Sequence, residues 1–328
     1  LCLLGALPSS GRASASGVSI TLYNAQHEQT TNALVAAFEK QTGIDVKVRN
    51  DDEDVLADQI VTEGSRSPAD VIYTENSPVL EYLQLKGRLA RVDASTLAAV
   101  PARYSSPQGK WVAVSGRVSG LVYNPKLIKA SQVPRSVMDL AKPFFKDKLA
   151  IAPSETDFQP IISSIANRYG QKRALAWLEA IKQNAAKHNY ANNEMLVARV
   201  NAGQASIGII NNYYWYRLRV ELGASAMHSV FAYLAPRDAG YVFDVSGAGI
   251  LSSSAHQRAA QKFLAFLVSK TGERIIATGD SFEYPLGSSV RTTKTLRPLS
   301  DLAPDTETIA ELGDGQGAIT LLERAGLL

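Results

Sequence analysis

The period of the apolar residues between positions 18 and 73 restricts the fold of this chain more than any other property of it. Residues 18–23 alternate apolar and polar side chains as a strand does. Residues 28–42 then place Leu34, Val35, Ala37 and Phe38 on one side of a helix that Gly43 stops. The plan repeats with a strand over 44–48, a helix over 54–63, a turn at Ser67-Pro68-Ala69 and a buried strand over 70–73. Strands alternating with helices in this way form a parallel α/β sheet, and ligands of open sheets sit beyond the carboxyl ends of the strands. Those ends are the polar loops at His27, at 50–54 and at Thr74-Glu75-Asn76, so His27 and Glu75 are expected to be neighbours in space. Taken singly, each has a plain structural explanation, as a loop histidine or cap and as a carboxylate favoured by a helix dipole.

A chain of 328 residues exceeds what one core usually supports, so two lobes are expected. Residues 112–117 and 121–125 are two strand-like runs around glycines, as a strand leaving one lobe for another requires. A second α/β pattern starts at Lys148, with helices over 158–169, 173–184 and 195–201. A strand at Ile207-Gly208-Ile209-Ile210 follows, then a return strand over 247–251, an amphipathic helix over 257–269, a turn at Glu283-Tyr284-Pro285-Leu286 and a last helix over 319–325. At the other end, the apolar residues 1–7 and the small polar stretch ending in Ala13-Ser14-Ala15 resemble the tail of a secretory signal peptide cleaved near Ala15. Cys2, the only cysteine, would leave with it, which suits a cysteine-free domain of a bacterial periplasm.

The net charge is +3 and no Lys/Arg block is present, which argues against a nucleic-acid partner; no later stretch reaches membrane-spanning length. The chain also lacks a G-x-S-x-G elbow, a P-loop, an H-E-x-x-H pair and a G-x-G-x-x-G turn, so a binding protein is expected rather than an enzyme. What remains is Asn211-Asn212-Tyr213-Tyr214-Trp215-Tyr216 at the end of the apolar run. Such an aromatic cluster, taken alone, is more often packing than ligand. The four histidines have no mutual zinc spacing, whereas phenol and carboxylate oxygens suit a hard, highly charged cation such as ferric iron. A trivalent ion would deprotonate phenols well below their free pKa of about 10.

The residues that decide between these readings are Tyr23-Asn24-Ala25-Gln26-His27, the stretch from Pro68 to Glu75, and the double tyrosine at 213–214, supported by Ser115-Gly116-Arg117, Trp177-Leu178 and Glu283-Tyr284-Pro285-Leu286. In them the chain resembles the periplasmic ferric-binding proteins, the solute receptors of bacterial ferric-iron ABC transporters, from about residue 18 to its end. The resemblance implies a two-lobed periplasmic binding protein fold of type II, in which discontinuous lobes are joined by two crossover strands and close on the ligand. Lobe one is expected to comprise 18–118 with 246–290, and lobe two 119–245 with 291–328. Carried over by position, the iron ligands are His27, Glu75, Tyr213 and Tyr214. Asn193 and Asn211 match the asparagines that back a synergistic anion in some family members, and Ser154, Thr156, Arg117 and the run Asp51-Asp52-Glu53 are candidate neighbours.

The family's small anion-binding loop departs here to Pro153-Ser154-Glu155-Thr156-Asp157-Phe158, whose carboxylates oppose phosphate at a helix start. Carbonate, phosphate, another small anion or water therefore stay open for that place. The partners implied are ferric iron and an inner-membrane permease, for a monomer that does not enter the membrane. Two alternatives remain. One is the same fold around a polyamine, a thiamine-like molecule or an oxyanion; the other is a secreted hydrolase or lyase using His27 and Glu75 as an acid/base pair.

Overall fold

The computed structural model describes residues 17–287, 290–293 and 295–328. The leader-like residues 1–16 lie outside them. In chain order the first part comprises β1 (Ser19–Ala25), α1 (Glu28–Thr42), β2 (Asp45–Asn50), α2 (Glu53–Glu63), β3 (Val71–Thr74), α3 (Ser77–Leu85), the single turn α4 (Ala94–Leu97) and β4 (Trp111–Tyr123). A second part follows with β5 (Leu149–Ala150), α5 (Gln159–Tyr169), α6 (Gln171–Asn184), α7 (Asn193–Asn201), β6 (Ile207–Asn211), α8 (Asn212–Leu222) and β7 (Val230–Ala232). The chain then returns through β8 (Phe243–Ile250), α9 (Gln257–Leu267), α10 (Lys270–Thr278) and β9 (Tyr284–Pro285), and ends with the single turn α11 (Ile309–Leu312) and α12 (Gln316–Ala325).

The β-α-β-α-β start forms as its periodicity predicts, with β1 parallel to both β2 and β3. Gly43 ends α1 in the left-handed conformation at φ 69°, its N–H closing on the Glu39 carbonyl, as a glycine stop does. The strand order is β2-β1-β3-β8-β4-β6-β5, with β7 and β9 also paired to β4. Thus β8, from late in the chain, lies antiparallel between β3 and β4.

The expected pair of runs around glycines is instead one strand of 13 buried residues. Its first part, Trp111–Val118, pairs with β8, and Ser119–Tyr123 pairs with β6, so a single strand serves both halves of the sheet system. Its glycines clear aromatic rings rather than interrupt it: a Cβ on Gly116 would lie 2.2 Å from Phe243 Cζ. The expected turn at 283–286 also differs, since Tyr284 and Pro285 pair with Gly116 and Ser115 as β9. Helices α1, α9 and α10 pack together against the first half of the sheet, while α12 packs on α5 and α6 beside the second. Among the described residues no helix is long and apolar enough to cross a membrane.

Candidate metal centre

Two loops and one helix start meet where the two halves of the sheet system face each other. His27 follows β1 and caps α1, Glu75 follows β3, and Tyr213 and Tyr214 stand in the first turn of α8, directly after β6. The topology brings the first two together as expected: His27 Nδ1 lies 3.0 Å from Glu75 Oε1. Tyr213 donates from its hydroxyl to Glu75 Oε2 at 3.3 Å, which joins the two sides. The rings of His27 and Tyr213 meet edge to face with centroids 5.0 Å apart, and those of Tyr213 and Tyr214 lie 4.1 Å apart. All four sequence-predicted ligands therefore converge.

A fifth group sits among them. Asp157 accepts through one oxygen, Oδ2, from Tyr213 at 3.0 Å and from Tyr214 at 2.8 Å. The side chain is buried, and its other oxygen has no hydrogen-bond partner. Sequence reading treated Asp157 only as a charge at a helix start. The local fold explains the difference: Thr156–Phe158 forms a 3₁₀ turn ahead of α5, and this turn directs Asp157 inward. Among the described residues no three His, Cys, Asp or Glu side chains alone are arranged to hold a metal, so a donor set here depends on the phenols.

The remaining sequence candidates divide by position. Asn193 and Asn211 come together with Asp157 around a cavity of about 10 Å³, room for about one water but not for phosphate. Asn193 donates to Asp157 Oδ2 at 3.4 Å, and its backbone N–H to Glu155 at 3.3 Å. Thr156 accepts from Asn76 at 3.1 Å, linking the two sides beside Glu75. Ser154 is exposed and donates to the Ala191 carbonyl at 3.2 Å. Arg117 is fully buried and pairs with Glu283 at 3.0 Å, donates to the Glu75 carbonyl, and stands 5.7 Å over the Tyr213 ring. Asp51 and Asp52 are exposed, whereas Glu53 is buried and accepts from the Asn76 backbone at 3.1 Å and side chain at 3.0 Å.

Two supporting residues escaped the sequence reading. Gln26 donates to Ser246 at 2.8 Å, which orients its carbonyl toward His27, where it accepts from the backbone N–H at 2.7 Å and faces Nδ1 at 2.5 Å. Nδ1 thus faces two acceptors, Gln26 Oε1 and Glu75 Oε1, an arrangement that suits the tautomer protonated on Nδ1 and would leave Nε2 to a cation. Asn212 accepts from the Val118 N–H at 2.9 Å and donates to the Phe282 carbonyl at 3.0 Å, tying the start of α8 to β4 and to the segment before β9. Neither role has a local sequence signal, because Ser246, which orients Gln26, and Val118 and Phe282, which hold Asn212, are remote in the chain.

The electrostatics favour protons where no cation is bound. Burial, then the Asp157 and Glu75 carboxylates, push both phenols well above their ordinary range. Burial and the Glu75 carboxylate also raise Asp157. Burial opposes charge on His27 and Glu75 as well, but each stabilises the charged form of the other, so His27 is raised and Glu75 lowered. The centre opens to solvent through a groove of about 620 Å³ lined by the carboxyl groups of Asp51, Asp52, Asp54, Glu155 and Glu194, oxygen-rich walls suited to a cation.

Comparison with known proteins places this geometry in context. Residues 66–304 match the family described as bacterial extracellular solute-binding protein. The chain is 38% identical to the Fe(3+)-binding periplasmic protein of Serratia marcescens, over 97% of its own length and 93% of that protein. It is 36% identical to the major ferric iron-binding protein of Neisseria meningitidis, over 94% and 93% respectively. The fold superposes on iron-bound HitA from Pseudomonas aeruginosa with a TM-score of 0.88 and 37% identity, covering 94% of this chain and 99% of that one.

Proposed function

The chain belongs to the bacterial extracellular solute-binding proteins, within the group of periplasmic ferric iron-binding proteins, and on that premise we propose that it captures one ferric ion between its lobes for delivery to an inner-membrane ABC permease. The observation that carries this reading is the meeting of His27, Glu75, Asp157, Tyr213 and Tyr214 at one point across the cleft. Ferric iron is hard and trivalent, and phenolate and carboxylate oxygens are its natural donors. The ion would take the place of the protons now shared among these groups, because a bound cation reverses the local preference for neutral phenols.

Two phenolates and two carboxylates carry four formal negative charges, one more than the ion needs. Asp157 thus fills the role that a separate synergistic anion would otherwise play, and the small cavity at Asn193 and Asn211 suits water. Residues 18–118 with 246–290 form one lobe and 119–245 with 291–328 the other in this reading, hinged at β4 and β8, in an exported, monomeric, non-enzymatic receptor of the periplasm.

The test is spectroscopic. Metal-free protein mixed with ferric acetohydroxamate is expected to develop a visible phenolate-to-iron charge-transfer band, and Tyr213→Phe with Tyr214→Phe to abolish it. A band that survives the double substitution overturns the assignment.

A further inference from the structure

A second group of phenols lies apart from the proposed iron donors. Tyr216 on α8, Tyr233 after β7, Tyr241 before β8 and Tyr284 on β9 gather where those four elements meet. The rings of Tyr233 and Tyr241 lie 5.8 Å apart, and Tyr216 stacks at 5.7 Å on Phe282, just ahead of β9. The Tyr233 hydroxyl has those of Tyr216 and Tyr284 as neighbours. Yet the hydroxyls of Tyr233, Tyr241 and Tyr284 are buried without an aligned hydrogen-bond partner among the described residues. Tyr284 is fully buried and Tyr241 is 2% exposed. Folded proteins rarely leave hydroxyls in this condition, because each unmet donor costs its full desolvation.

The surroundings decide what completes them. Burial pushes all four phenols up, so they stay protonated and act as donors. The charged side chains that act most on them are Arg219 on Tyr216 and Arg297 on Tyr233 and Tyr241, with no carboxylate among them. Arg297 stands at the exposed edge, its guanidinium carbon 5.2 Å from the centre of the Tyr233 ring, and it forms no ion pair among the described residues. The Ala303 backbone N–H faces the Tyr241 hydroxyl as a further donor. Donors gathered beside a guanidinium repel a cation. A water would have to return its own two protons to phenol oxygens, whereas an anion only accepts. One guanidinium at the edge matches one negative charge, and the rings of Phe231, Phe243 and Phe282 pack around the phenols, which favours a small spherical ion over a branched oxyanion.

We propose that Tyr216, Tyr233, Tyr241 and Tyr284 bind a chloride ion with Arg297, and that the ion ties α8 and β7 to β8 and β9 beside β4. The inference stands apart from the ferric reading, since none of its residues is a proposed iron donor.

Thermal unfolding of metal-free protein at constant ionic strength, with gluconate exchanged for chloride, reads the site. Above the dissociation constant, each tenfold rise in chloride is expected to raise the wild-type midpoint by about 2 °C, and bromide to act likewise. Tyr241→Phe with Tyr284→Phe removes two donors and is expected to abolish the dependence; Arg297→Gln is expected to weaken the apparent affinity at least tenfold. Both variants are expected to unfold cooperatively in gluconate, which shows that they fold. Crystals soaked in bromide are expected to give an anomalous-scattering peak among the four hydroxyls. A midpoint indifferent to the exchange of gluconate for chloride, an equal response in the double phenylalanine variant, or density for water with no bromide signal overturns the proposal.

Discussion

Asp157 and Gln26 show how much of a metal centre depends on single side chains that no motif marks. Asp157 touches both phenols through one oxygen, so Asp157→Asn removes a charge without removing volume. Ferric affinity is expected to fall by about a hundredfold. The loss should be partly restored by adding carbonate or phosphate, whereas wild-type binding, followed by the charge-transfer band, should not respond to either. Gln26 acts one bond further out. With Gln26→Leu, His27 Nδ1 loses one of the two acceptors that suit its tautomer, and ferric affinity should drop about tenfold. Competition with a chelator of known strength measures this, and an unchanged affinity would show that Glu75 alone orients the ring. Strand-end loops and an aromatic cluster, taken alone, suit packing equally well; it is the resemblance to the ferric-binding family that singles out His27, Glu75, Tyr213 and Tyr214, and the structure brings these four together. Asp157 was not legible in the sequence, since an aspartate before a helix looks the same whether it caps outward or a 3₁₀ turn directs it inward.

At the level of elements, the helices and parallel strands of the first part followed from apolar period, and α1 matches its expected span. The crossover expected over 112–125 forms as one unbroken strand rather than two runs, and Gly116 and Gly120 sit inside β4 because the Phe243 and Phe231 rings press on their backbones. β9 is only two residues long, too short to leave an alternating pattern. The tyrosines open helix α8, and Asn212 pins that opening to β4. A methyl group at Gly116 would meet Phe243 within 2.2 Å, so Gly116→Ala should destabilise the protein by about 1–3 kcal/mol through overpacking. The midpoint of urea unfolding reports the loss, and Phe243→Leu in the same chain should recover part of it. If Gly116→Ala proves neutral, the ring yields more easily than this packing implies.

For the whole molecule, protons and the ferric ion compete for the cleft. Burial raises Glu53 to about 8 despite the donors Thr156 and Asn76, and burial followed by the Asp157 carboxylate raises Glu155 to about 8. Raised acids make the folded, metal-free protein bind protons that the unfolded chain releases. Their stabilisation is complete below the ordinary carboxyl range and is lost as pH climbs through about 8. The melting temperature of metal-free protein should therefore decline between about pH 5 and about pH 8, with a shallower slope for Glu53→Gln. Ferric affinity should run the opposite way and rise with pH, since the ion must displace phenol protons held above their ordinary range. The placement of β8 between β3 and β4 bears on how the molecule is made. Every proposed donor precedes residue 243 in the chain, so all of them are synthesised before the strand that joins their supports. Until β8 arrives, β3 and β4 share no neighbour, and pairings of such long sequence separation form slowly. A nascent chain thus carries all five donors without an assembled centre, and its affinity for metal would arise only in the last stage of folding.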